Sequence, residues 1–227
     1  MTGPEPIEMQ LAYERHALFA IELLDAVTLE RVSEGIVVTA HGLRGRPFVN
    51  HGRLFVWLEE KLGPLQKISI NPGTRPYEPV ERTTAQLNLP PVPHPLTTIE
   101  LPPRVDYAFA MGTTGARGTL IEDRMTLPFE PVPDAEIFLR WLDDTSVWHD
   151  APTISHTNRA GDFVSNLRLS AADVPLVDSA GALTVRLHVR RDSVNERHSG
   201  DLKVPQGRIA DPTTLSALIV AWDELHP

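Results

Sequence analysis

Residues 158–167 read Asn-Arg-Ala-Gly-Asp-Phe-Val-Ser-Asn-Leu, and residues 50–58 read Asn-His-Gly-Arg-Leu-Phe-Val-Trp-Leu. In both stretches an Asn precedes a Phe by five residues, a Gly lies between them, and alternating strand residues follow. Asn and Gly tolerate the backbone angles of a tight turn, so each stretch predicts a turn leading into a strand whose Phe plugs one end of a core. A duplicated unit without obvious catalytic residues is typical of a modular scaffold.

The repeat predicts two domains in a chain of 227 residues, which is long enough for two units of roughly 100 residues each. A hydrophobic content of 41% supports real cores, and the 21 prolines disfavour long helices and suit short strands joined by stiff turns. The expected fold class is all-β: two tandem transthyretin-like or immunoglobulin-like β-sandwiches. The predicted boundaries are an extended arm at 1–16, a first sandwich at 17–103 and a second at 104–227.

Most segments of the chain have the periodicity of short strands. Residues 17–25 are too apolar to have a wet face and predict a central strand, with a helix as the competing interpretation because Ala, Leu and Glu favour one. Residues 190–212 are polar and predict loops, and a short helix is expected near 171–174. The other predicted strands are 36–40, 48–49, 54–58, 66–71, 84–89, 97–101, 107–111, 118–122, 136–142, 163–169, 183–189 and 216–222.

Composition excludes several classes of function. The net charge of −9 argues against binding to a nucleic acid backbone, and the absence of cysteine excludes disulfides and thiol chemistry. The first ten residues have neither the basic nor the apolar region of a signal peptide, and no stretch approaches the roughly 18 apolar residues that span a bilayer. A cytoplasmic protein without membrane insertion is therefore expected. A subunit that assembles into a particle in the cell and is then released with it would have the same sequence features.

The motifs around the repeat resemble the carboxypeptidase regulatory-like domain. The second half carries the resemblance best, with residues 118–123, Pro-Val-Pro-Asp-Ala at 131–135 and Thr-Asn-Arg-Ala-Gly-Asp-Phe at 157–163. The resemblance implies a transthyretin-like β-sandwich and brings no metal site or catalytic residue with it. The runs 19–28, 45–50 and 55–60 also look like small two-domain proteins encoded with contractile injection systems, which are phage-tail-like particles. This second resemblance implies an accessory structural subunit at the cap or baseplate.

Catalytic, cofactor and metal residues are not predicted. None of the nine histidines forms a close pair at ligand spacing, and neither H-x-x-E nor H-E-x-x-H occurs. His149 and His156 are the one pair that could approach each other, across a long loop of the second half. The Gly-rich run 112–118 lacks the Lys-Ser/Thr of a phosphate loop and predicts a turn, and there is no G-x-S-x-G nucleophile motif.

Two regions are candidates for protein interaction. Ile7, Met9 and Leu11 alternate with polar residues in the arm, which suits a strand that adds to the sheet edge of another subunit. The alternatives are a frayed terminus and an extra edge strand of the chain's own sheet. Trp148 lies in the longer loop of the second half and is a candidate anchor for a protein or a sugar, or a residue buried in its own loop.

These features together predict a non-enzymatic structural or adaptor subunit whose partners are sheath, tube, cap or baseplate proteins. The alternatives are a ligand- or carbohydrate-binding, adhesive β-sandwich and, third, an enzyme with an unrecognised site.

Overall fold

The computed structural model describes residues 17–58, 64–89, 95–192, 195–209 and 218–227. These residues form sixteen β-strands, one α-helix of four residues and one 3-10 turn, so the all-β prediction is confirmed. None of the described helices is long or apolar enough to cross a membrane.

Residues 17–103, called here the first half, form two sheets. The strand order is β3-β4-β1-β7 in one sheet and β2-β5-β6 in the other. Residues 17–25 are therefore the central strand that was predicted rather than a helix, because a strand pairs with them on each side. The elements are β1 (Ala17–Asp25), β2 (Val37–His41), β3 (Phe48–Val49), β4 (Phe55–Leu58), β5 (Lys67–Asn71), β6 (Val80–Thr83), α1 (Thr84–Leu87) and β7 (Leu96–Leu101).

Residues 104–227, called here the second half, also form two sheets. One has the order β12-β8-β16, and the other has the order β10-β9-β13-β14 with β11 paired to β9 and β15 paired to β13. The strands are β8 (Thr114–Ile121), β9 (Glu136–Leu142), β10 (Trp148–Asp150), β11 (Ser155–His156), β12 (Asp162–Leu167), β13 (Ala182–Arg190), β14 (Glu196–His198), β15 (Leu202–Pro205) and β16 (Leu218–Ala221).

The pairing pattern of the first half recurs in the second. β1 pairs antiparallel with β4 and parallel with β7, and β8 pairs antiparallel with β12 and parallel with β16. β2 pairs antiparallel with β5, as β9 does with β13. The similarity between the two short stretches of sequence thus extends to the order and direction of the strands around them.

The Asn turn itself has the same hydrogen bonds in both halves. Asn50 Oδ1 accepts from the backbone N–H of Leu54 at 3.0 Å, and Asn158 Oδ1 accepts from that of Asp162 at 2.9 Å. The residue three positions after each Asn has a positive φ, at 61° for Arg53 and 77° for Gly161. The predicted turn is confirmed in both copies.

Each half has its own buried apolar cluster to which both of its sheets contribute. Phe55 belongs to the first cluster and Phe163, which is fully buried, to the second. Burial of a Phe side chain contributes roughly 1.5–3 kcal/mol, so both repeat phenylalanines stabilise the fold as predicted. In the first cluster the rings of Phe19 and Trp57 stack with their centroids 4.6 Å apart.

Four expectations about local structure are wrong. Residues 84–89 contain α1 rather than a strand, since Thr83 and Gln86 form a reciprocal capping box that begins a helix. Residues 107–111 are irregular, and 171–174 contain a turn without a helix. The region 190–212, expected as loops, contains β14 and β15, which extend the sheet because both pair with β13.

Candidate protein-interaction surfaces

Trp148 lies in a strand, not in the loop that the sequence predicted. β10 continues the sheet beyond β9, with Trp148 opposite Leu142. The side chain is half-buried, and the guanidinium carbon of Arg186 lies 4.3 Å from the centre of its ring. Arg186 is in turn held by Asp201 at 2.8 Å. One face of the indole is thus covered by a cation of the same chain.

The three arm residues Ile7, Met9 and Leu11 lie outside the described residues.

His149 and His156 are not brought together, because they pair with opposite ends of β9. The ring of His149 stacks on Trp141 with the centroids 4.6 Å apart, and its Nε2 lies 2.8 Å from Asp143 Oδ2. This hydrogen bond is the main cause that lowers the pKa of Asp143 to about 2. Within the described ranges, no three His, Cys, Asp or Glu side chains are grouped so that they could hold a metal ion.

His156 instead joins the two halves. Its backbone N–H donates to Glu78 Oε1 at 2.9 Å, and its ring Nδ1 lies 2.7 Å from Glu78 Oε2. The bond to Glu78 raises the pKa of His156. Arg168 makes a second connection, since its Nη1 donates at 2.9 Å both to the carbonyl of Ala26 and to Glu100. We refer to these contacts as the junction.

A buried carboxylate supports the junction from the first half. Asp25 is 5% exposed and its Oδ1 accepts from the backbone N–H groups of Val27 and Thr28. Its Oδ2 accepts from the hydroxyl of Tyr77 at 2.9 Å and from that of Tyr107 at 2.5 Å. Burial and the bond to Asp25 raise the pKa of both tyrosines. With four donors on its two oxygens, this carboxylate is a structural acceptor.

The first half exposes a groove between its two sheets, called here the edge groove. It has a volume of about 560 Å³ and lies between β2 and the segment that leads into β3. Among the described residues, β5 is the only strand that pairs with β2, so the other side of β2 is an uncovered edge. The apolar side chains that line it include Ile36, Val38, Ala40, Val49 and Phe55.

The rims of the edge groove are apolar and basic. Val37 is 61% exposed, and Phe48 and Val49 are about half exposed. Arg44 and Arg46 are exposed at one end, and neither forms a salt bridge with another described residue. Exposed apolar side chains beside an uncovered strand edge are typical of a protein-interaction surface.

The second half exposes an apolar surface of a different kind, called here the apolar loop and formed by residues 124–129. Met125 is 91% and Leu127 75% exposed, and Phe129 is about half exposed. The loop is shaped by Asp123, whose Oδ1 accepts from the backbone N–H groups of Met125 and Thr126. Its conformation is thus fixed by polar bonds while its apolar side chains face water. The corresponding connection of the first half, after β1, is shorter.

Searches of family models, of curated proteins and of solved structures found no match to this chain.

Sequence reasoning identified Trp148 but missed the edge groove, the apolar loop and the junction. The apolar loop carried a signal, because Met, Leu and Phe occur at every second position of 125–129 without a partner strand nearby. The junction had none, since Glu78 and His156 are 78 residues apart in sequence.

Proposed function

We propose that this protein is a non-enzymatic structural or adaptor subunit that holds other proteins together in an assembly. The observation that carries the proposal is the pair of exposed apolar surfaces, the edge groove in one half and the apolar loop in the other. Contiguous exposed apolar patches of more than a few hundred Å² are rare on monomers and typical of protein-interaction sites. Two such surfaces on one chain suit a component that contacts two neighbours.

The junction supports this role because it fixes one surface relative to the other. An adaptor must hold its two contacts at a defined distance and angle, and a flexible linker would not do so. The two connections of the junction, Glu78 to His156 and Arg168 to Glu100, are hydrogen bonds of 2.7–2.9 Å, each with a carboxylate as acceptor. Hydrogen bonds in which the donor or the acceptor is ionised are shorter and roughly twice as strong as neutral ones.

We further propose that the halves are tandem transthyretin-like sandwiches with bounds near 17–103 and 104–227. The recurring strand order, the duplicated Asn turn and the two separate apolar clusters support this division. The resemblance of their motifs to proteins of contractile injection systems makes a phage-tail-like particle the proposed setting. The proposed partners are its sheath, tube, cap or baseplate proteins.

The test is purification of the tagged chain from its own cells, with mass spectrometry and negative-stain microscopy of the eluate. The expected result is recovery of sheath and tube proteins on rod-shaped particles. Met125→Ser with Leu127→Ser is expected to lower this recovery because it removes apolar contact area from the apolar loop. Met111→Ser is the matched control, since Met111 is also fully exposed but lies outside that loop.

Recovery of the wild-type chain alone, without particle proteins, would overturn the particle setting. Equal recovery by the double variant and by the Met111→Ser control would show that the apolar loop is not a contact.

The alternative of a carbohydrate-binding module rests on Trp148. Its ring is half-buried, Arg186 covers one of its faces, and the neighbouring Val147 is half exposed. In that case Trp148→Ala abolishes glycan binding on an array while the urea unfolding midpoint changes little. Particle proteins would then be absent from the purification above.

A further inference from the structure

The two halves differ at one strand edge, the outer edge of β9 in the second half and of β2 in the first. In the second half the outer edge of β9 is covered, because β10 and β11 both pair with it antiparallel. In the first half the equivalent strand is β2, and the short segment that would correspond to β10 forms β3, which pairs with β4 in the other sheet. Within its described residues, the first half thus has no strand that closes this edge as β10 and β11 do in the second half.

The space beside β2 is also less filled than the space beside β9. The inward-facing residues of β9 are Ile137, Leu139 and Trp141, all buried. Those of β2 and the residue before it are Ile36, Val38 and Ala40. In this order Ala40 takes the place of Trp141, so a methyl group stands where the second half has an indole. The edge groove opens at this point. Both the missing strand and the missing side-chain volume indicate that an added strand belongs there.

We propose that residues 5–11 of a second copy of this chain bind in the edge groove as a strand antiparallel to β2. The inference deepens the proposed assembly role and rests on it. Residues 1–16 lie outside the described part and end where β1 begins. Their stretch Glu-Pro-Ile-Glu-Met-Gln-Leu at 5–11 alternates apolar and polar residues, which is what a strand with one buried face requires.

In one register of residues 5–11 against β2, the apolar residues face the core and the acidic end lies beside the arginines. With Glu8 opposite Thr39, Met9 is opposite Val38 and Ile7 is opposite Ala40, so the two apolar residues take the inward face. Glu5 then lies beyond the end of β2, on the side of the exposed arginines at 44 and 46. An acidic strand end beside two arginines is electrostatically complementary.

The direction of the strand requires a second copy rather than the chain's own arm. The start of β2 lies at the Asp25 end of β1, because Arg75 contacts Glu34 and Tyr77 contacts Asp25 at that end. In an antiparallel strand Leu11 would lie opposite Ile36, at the Asp25 end, whereas the chain continues into Ala17 at the other end of β1. The two ends of β1 are about 26 Å apart, because the strand has nine residues. The six residue steps from 11 to 17 span at most about 22 Å, so the chain's own arm does not reach.

The absence of cysteine allows a direct test with two introduced ones. Full-length chains that carry only Glu8→Cys are mixed with full-length chains that carry only Thr39→Cys, then oxidised and analysed by non-reducing gel and peptide mass spectrometry. Thr39 is exposed, so its replacement leaves the core intact. The matched control pairs Met9→Cys with Thr39→Cys, because neighbouring strand residues face opposite sides.

The expected result is a covalent dimer joined between positions 8 and 39, formed at least about tenfold more than in the control, since a disulfide needs Cβ atoms about 3.5–4.5 Å apart. An intramolecular link in a chain that carries both cysteines would overturn the second copy as occupant. Absence of any link, or equal linking in the control, would overturn the groove as the site of the arm. Particle proteins that still co-purify in that case would leave the adaptor role standing.

Discussion

Replacing Asp25 tests whether the buried carboxylate holds the first half and the junction together. Asp25→Ala removes the acceptor of two backbone N–H groups and of the hydroxyls of Tyr77 and Tyr107. Tyr77 is buried and Tyr107 half-buried, so water does not reach the first hydroxyl freely. The backbone groups at Val27 and Thr28 are closer to solvent.

The loss of unfolding free energy on Asp25→Ala depends on which hydrogen-bond donors are left without an acceptor. A buried donor without an acceptor costs about 1–3 kcal/mol, and hydrogen bonds to charged groups contribute about 1.5–3 kcal/mol each. Asp25→Ala is therefore expected to lower the free energy of unfolding by about 3–4 kcal/mol, because only Tyr77 is left fully unpaired. Tyr77→Phe alone removes one bond without leaving a buried donor. It is expected to cost about 1.5 kcal/mol, the low end of that range, since Asp25 keeps three other donors.

The assay is urea unfolding of the single variants and of the double variant Asp25→Ala with Tyr77→Phe. The double variant is expected to be less destabilised than the sum of the two singles by about 1–2 kcal/mol, because the orphaned hydroxyl is gone. Additive effects, or a loss below about 1 kcal/mol for Asp25→Ala, would refute the structural role assigned to this carboxylate.

Three further outcomes follow from the described contacts. Phe55→Ala and Phe163→Ala are each expected to cost about 3–5 kcal/mol in urea unfolding, against about 0.5 kcal/mol for the exposed Phe48→Ala; similar losses for all three would contradict the burial argument. Gly118→Ala is expected to cost about 1–3 kcal/mol, because its Cβ would lie 2.1 Å from a carbonyl oxygen of β16; an unchanged midpoint would argue against that close approach. The raised pKa of His156 means that its bond across the junction stabilises the protein below the unfolded pKa of about 6.5 and weakens as pH rises through the folded pKa. An NMR titration of that ring with a midpoint at or below about 6.5 would be incompatible with the bond.

The elements that local sequence determines were predictable. β9 has the predicted bounds of 136–142, and the Asn turns form in both halves, because alternation and turn residues act within a few positions. The capping box at Thr83 and Gln86 is a local signal as well, because the Thr-x-x-Gln spacing begins a helix, whereas the alternation of 84–89 alone predicts a strand.

The remaining features depend on partners that are distant in sequence. Glu196 and His198 lie in a polar stretch that forms a strand only because β13 is available beside it. Arg168 and Glu100 are 68 residues apart, and nothing near either one indicates the other. The edge groove exists because no second strand among the described residues pairs with β2, and an absent neighbour leaves no local pattern in the sequence.

Because this strand edge is covered in one half and uncovered in the other, the molecule has a direction, with unlike surfaces at its two halves. A contact built on that edge joins two different surfaces, so it is heterologous and repeats head to tail unless a rotation closes it into a ring. A row of such copies has two unlike ends, one with a vacant groove and one with an unused arm. The two ends of the row would then need two different proteins to terminate them, one that fills the groove and one that binds the arm.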